Sequence, residues 1–170
     1  ELTSADLLYE LTSDNTGYLV TGLDYSKYDI NALTIIIPSE YKGLPIVGIK
    51  EESFKNRIKI KKIILSNNIT HIGNAAFEGC TRIANIELPN SVTIIGESVF
   101  KGCTGLTSMT LPFIGNGNDK THFGYIFGAS SYRGNSEYVP TSLKKVIITN
   151  ATSIGALAFY NCTSLTSIEI

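Results

Sequence analysis

The chain has 170 residues, 43% of them hydrophobic and only 17% charged, enough for one folded domain and too apolar for a disordered tail. Its 14 basic and 15 acidic residues leave a net charge of -1 with no long run of either sign, which argues against nucleic acid or an acidic membrane as the main partner. No apolar run approaches the roughly 20 residues that cross a bilayer, and the first residues show neither a basic region nor a cleavage site, so no membrane insertion is expected of this segment and any export signal or anchor is expected outside it.

Leu7 to Leu11 and Gly17 to Leu23 are short apolar stretches around Ser13-Asp14-Asn15-Thr16, a cluster that favours turns. The pattern predicts a β-hairpin, and residues 1–31 are read as a capping unit that shields the first open edge of the repeats beyond it.

Repeats begin at Ala32 and run to Ile170. Ile35-Ile36-Ile37-Pro38 reads as a strand, Ser39 to Pro45 as a Gly/Pro turn, and Phe54, Ile60, Ile63 and Leu65 open a phase that the next two segments copy. Those segments are LSNNITHIGNAAFEGCTRIANIE from Leu65 and LPNSVTIIGESVFKGCTGLTSMT from Leu88, each 23 residues long and in register at Ile72 and Ile95, Gly73 and Gly96, Phe77 and Phe100, Cys80 and Cys103. A fixed period of this size predicts a leucine-rich repeat type of solenoid, right-handed, with about five coils of 23 residues built from short β-strands and short helical or 3-10 turns. A single repeat buries too little to offset the cost of ordering its backbone. Stacking supplies the rest, with each strand pairing to the next at about 4.8 Å. Gly73, Gly96 and Gly155 are expected to permit tight corners.

The fourth repeat starts at Leu111-Pro112 and breaks. Phe127 reads as its phenylalanine, Leu143, Val146 and Ile148 restore the phase, and an insertion is placed at about residues 113–140. The fifth repeat carries Ile154, Phe159, Cys162, Leu165, Ile168 and Ile170. Its last strand is an edge open to self-association, to a continuation of the chain or to a partner.

Two groups of residues are candidates for contact with a partner. The insertion is rich in aromatic rings, and Phe123, Tyr125, Tyr132, Arg133 and Tyr138 are its candidates, because loops on a rigid scaffold carry function and Tyr is favoured at interfaces. The competing reading is that these rings give the excursion its own small core. The strand face is the second group. Period two sends Ile86 and Leu88 inward and Asn85 and Glu87 outward, so the outward columns are Lys62, Asn85, Ser108, Lys145, Ser167 and Ile64, Glu87, Thr110, Ile147, Glu169.

No catalytic or cofactor motif accompanies these columns. Cys80, Cys103 and Cys162 share one phase and are expected as free, buried thiols, since their Cβ vectors run parallel rather than converging. His71 and His122 sit in different repeats without a metal or triad motif, and Asn116-Gly117-Asn118-Asp119 lacks the spaced carboxylates of a calcium loop and reads as an ordinary turn.

Leu88-Pro89, Ser91-Val92, Ile95-Gly96, Phe100 and Cys103, with Ala76-Phe77, Cys80, Ala158-Phe159 and Cys162, resemble the BspA-like leucine-rich repeats of bacterial surface proteins. Departures are the missing Pro at Ser66 and Thr149 and the loss of Cys at Arg57 and, in the fourth repeat, at Ser130. The resemblance implies an exported or surface-anchored protein, some of whose relatives adhere to host proteins or other cells. The expected function is therefore non-enzymatic binding of a host or bacterial surface protein or glycan, with a structural spacer that displays another domain as the alternative. Fold alone does not decide between them.

Overall fold

Alternation at period two makes the strands, and the 23-residue recurrence decides which strands lie side by side. The computed structural model describes residues 6–27 and 33–170; the remaining parts of the expected hairpin segment and repeat start lie outside the described residues. β1 (Leu7–Leu11) and β2 (Tyr18–Leu23) pair antiparallel. Asp14 closes their turn, its carboxylate accepting Thr12 Oγ1 at 2.7 Å and Thr16 Oγ1 at 2.8 Å, which lowers its pKa.

β2 continues into a parallel series through β5 (Leu44–Ile49), β7 (His71–Ile72) and β9 (Ile94–Ile95), with β4 (Glu40–Tyr41) folded antiparallel onto β5. On this face His71 lies so close over Gly48 that a Cβ there would come within 2.4 Å of Nε2, and the partly buried ring has its pKa lowered by desolvation.

A second face carries the outward columns. β8 (Asn85–Glu87), β10 (Ser108–Leu111), β11 (Lys145–Ile148) and β12 (Ser167–Glu169) form one parallel sheet, whereas β3 (Leu33–Ile36) and β6 (Ile60–Ile64) form another. Continuous pairing was expected here. It breaks once, because no ladder joins β6 to β8.

Between the faces run the phenylalanine turns. Phe54 N–H donates to the Ala76 carbonyl at 2.8 Å, Phe77 N–H to Val99 at 3.0 Å and Phe100 N–H to Ile126 at 2.8 Å, so each turn hands its donor to the following one. Their rings stack within the core, Phe54 on Phe77 at 5.5 Å and 5°, Phe77 on Phe100 at 5.8 Å and 9°. Burial of each such side chain is worth roughly 1.5 to 3 kcal/mol.

The corners are made differently from expectation. Gly73 and Gly96 are not left-handed; a Cβ on them would lie 2.4 Å from Glu51 N and 2.5 Å from Asn74 N, so they are small because the neighbouring repeat's backbone passes there. The left-handed residues flank the phenylalanine instead: Glu52, Ala75, Ser98 and Leu157 two before it, and Asn56, Gly79, Gly102 and Asn161 two after it.

In the fourth repeat a 3-10 helix, Phe123–Phe127, spans the break. Ile126 receives the Phe100 donor, as the place of Phe127 in the series requires, while Phe123 N–H donates to Ala158 at 2.9 Å. The rings follow the same route, Phe127 to Phe123 at 5.4 Å and Phe123 to Phe159 at 5.0 Å. A second 3-10 turn, Tyr132–Gly134, leads into α1 (Asn135–Tyr138). Ser130 does not replace the cysteine, being exposed. Asn135, fully buried, fills space here and is satisfied by Gly124 N–H and the Ala158 carbonyl, both at 2.9 Å. One apolar core runs from Leu7 to Ala158.

Candidate functional site

The strand face has the expected columns from β8 onward. Asn85, Ser108, Lys145 and Ser167 align in register, as do Glu87, Thr110, Ile147 and Glu169. Beneath them Ile86 and Leu88 are 1% and 3% exposed, so the face is held by the core. Ser108 Oγ donates to Asn85 Oδ1 at 2.5 Å, and Lys145 Nζ meets Glu169 Oε1 at 2.5 Å.

Where β6 and β8 fail to pair, the face opens into a groove of about 600 Å³. Lys61, Lys62, Ile64 and Leu65 line its β6 side, and Asn85, Glu87 and Ser108 its other side. Lys62, Asn85 and Glu87 thus line one groove. Leu65 and Glu87 also border a shallower trough of about 290 Å³ that reaches Thr110 and Thr149. Among the described residues, none of Lys61, Lys62 and Glu87 takes part in an ion pair.

Lys61 is the groove residue that the columns missed. It stands one place before the outward column, where the later repeats have Ala84 and Thr107, whose backbone groups are tied up between repeats: Thr107 N–H donates to the Ala84 carbonyl at 2.8 Å. The Lys61-Lys62 doublet at a strand start was its signal in the sequence.

The insertion residues do not form one surface. Phe123 is fully buried and offers nothing to a partner, a correction that follows from its place in the phenylalanine relay. Tyr125 is half-buried and packs edge-on to His122 at 6.1 Å. Tyr132 meets Tyr160 edge-on at 5.4 Å with the Arg133 guanidinium 5.8 Å above its ring, and Tyr138 is 38% exposed. Some rings of the insertion therefore build core, and others remain at the surface.

The cysteines are free, Cys80 and Cys103 buried and Cys162 half-buried. Burial pushes Cys80 to about 11, Cys103 to about 12 and Cys162 to about 11, which makes poor nucleophiles of them. Arg57, at the cysteine position of the first turn, is exposed and lies over the Tyr25 ring at 3.9 Å. His122 is buried, with Nε2 2.8 Å from the Ala129 carbonyl. Asn116 Oδ1 accepts the N–H groups of Asn118 and Lys120 at 2.9 and 3.0 Å, as in a side-chain-closed turn. Among the described residues no three His, Cys, Asp or Glu side chains gather as a metal site, and no helix is long and apolar enough to cross a membrane.

The family model described as BspA type leucine rich repeat region matches residues 25–125 and 132–170 in six copies. Among solved structures, a leucine-rich repeat protein from Bacteroides ovatus is 23% identical with a TM-score of 0.61, the match covering 100% of this chain and 41% of that one. One from Eubacterium ventriosum is 20% identical with a TM-score of 0.60, covering 94% and 41%. A protein from Faecalibacterium prausnitzii described as a leucine rich cell surface protein is 19% identical with a TM-score of 0.53, covering 98% and 53%. The chain thus spans about half or less of these three proteins, and the likeness is one of fold. No curated protein sequence matches the chain.

Proposed function

The chain belongs to the BspA-type leucine-rich repeat family, and from that premise we propose that it is a non-enzymatic protein-binding module displayed outside a bacterial cell, making adhesive contact through its strand face. The observation that carries this reading is the groove between β6 and β8, where Lys61, Lys62 and Glu87 converge without being paired to one another. Charged groups left unspent over a rigid apolar support are what a partner surface can complete at little ordering cost. The insertion offers exposed Arg133 and Tyr138 beside half-buried Tyr132 as the alternative contact.

The test is saturable binding of the purified chain to arrayed host and bacterial surface proteins, repeated with Lys62→Glu/Glu87→Lys and separately with Tyr132→Ser/Tyr138→Ser. Loss of binding in the first variant alone is the expected result. Loss in the second alone would move the contact to the insertion, and absence of saturable binding to every arrayed protein would favour a spacer.

A further inference from the structure

Two lysine–glutamate combinations drawn from the same two columns behave differently. Lys145 on β11 and Glu169 on β12 close on each other at 2.5 Å. Lys62 on β6 and Glu87 on β8 occupy the equivalent places one strand apart, line one groove, and do not pair. The cause is the interrupted ladder. Hydrogen bonds draw β11 and β12 together, so that one strand's ammonium reaches the next strand's carboxylate, whereas β6 and β8 share none. The groove therefore has two ammonium groups, Lys61 and Lys62, on one wall and the Glu87 carboxylate on the other, with Ile64, 42% exposed, as an aliphatic contact beside them.

We propose that this groove seats an extended polypeptide segment that carries an acidic and a basic side chain at a fixed separation, the acid against Lys61 and Lys62 and the base against Glu87. The proposal rests on the reading of the strand face as the binding surface and specifies the chemistry of its occupant. Charge complementarity selects the segment, since a uniformly acidic or basic chain meets one like-charged wall. β6 and β8 lie too close for a further strand to pair between them, since that needs about 9.6 Å, so the segment lies over the groove and is read through its side chains. A glycan is the less fitting occupant because no aromatic ring lines the groove to stack on a sugar face. The volume of about 600 Å³ suits a few residues of an extended chain.

The probe is a phage-displayed library of random decapeptides selected on the immobilised chain, with the enriched pool sequenced and its binding checked at low and high salt. The expected result is a pool in which one acid and one base recur at constant spacing, with binding lowered about tenfold by 1 M salt. Selection on Lys61→Glu/Lys62→Glu/Glu87→Lys should enrich the same spacing with the two signs exchanged. These residues are exposed, so the variant should unfold at an unchanged temperature, and a second variant, Lys62→Gln/Glu87→Gln, should enrich neither pattern. Enriched peptides without paired charges, a pool indifferent to the sign exchange, or no enrichment while a β-linked N-acetylglucosamine hexamer shifts the groove amides in NMR would overturn the proposal. The last result would leave the strand face standing as the binding surface. Whole-protein binding that survives all groove variants would remove both readings.

Discussion

The thiol of Cys103 donates to the carbonyl of Phe77 at 3.1 Å, one repeat back, and Cys80 makes the same bond to Phe54 at 3.1 Å. The cysteine is thus a second, cross-repeat donor to a carbonyl that also accepts a local N–H, from Cys80 on Phe77 and from Arg57 on Phe54, both at 3.2 Å. Cys103→Ala should cost about 1 to 3 kcal/mol, since it removes the donor and leaves a small void. Urea unfolding followed by circular dichroism measures it. In the native protein Cys162, half-buried, should react with a thiol reagent before Cys80 and Cys103 do.

The same thiols predict an alkaline limit. Their folded pKa values, about 11 and about 12, are raised above the ordinary 9.0 by burial, so the unfolded chain releases these protons first. Stability is therefore whole below pH 9 and falls between that pH and the folded values, where Tyr9, raised to about 12 by burial, adds to the loss. Thermal unfolding from pH 8 to 11 should show a falling midpoint, and Cys80→Val/Cys103→Val should flatten the slope. A midpoint flat across this range in the unsubstituted chain would contradict the buried-thiol account.

Phe123 lies in the insertion yet belongs to the core. Phe123→Ala should destabilise by about 3 to 5 kcal/mol, as much as Phe77→Ala, while Tyr138→Ser, a few residues on, should cost under about 1 kcal/mol. Chemical unfolding of the three variants separates core rings from surface rings.

Glycine content should act in opposite directions at two positions of the repeat. Gly96→Ala puts a Cβ 2.5 Å from Asn74 N and should cost about 1 to 3 kcal/mol. Leu157→Gly, at φ 62 and 50% exposed, relieves a left-handed side chain and should gain about 0.5 kcal/mol. Differential scanning calorimetry reads both.

Much of this was legible in the residues themselves. Register at Asn85, Ser108, Lys145 and Ser167 follows from strict alternation, and Phe127 kept its place because the phase resumed at Leu143. What escaped is spacing between repeats. Nothing in Ile63 or Ile86 says that their strands stay unpaired, because both carry the same inward pattern as strands that do pair. The separation of Phe123 from the other insertion aromatics was hidden too, since a 3-10 helix inside a 23-residue period has no periodic mark of its own. Gly73 and Gly96 were misread for a related reason. A conformational need and a close backbone approach both select the smallest residue, and only the structure tells them apart.

Each phenylalanine N–H donates to a carbonyl of the succeeding winding, through main-chain atoms that any winding of this kind possesses. Growth by duplication is therefore cheap in design terms: a unit cut at equivalent leucines can be spliced in without inventing a new joint. Reach, rather than recognition, is the property such splicing alters, by about 4.8 Å for every unit gained or lost.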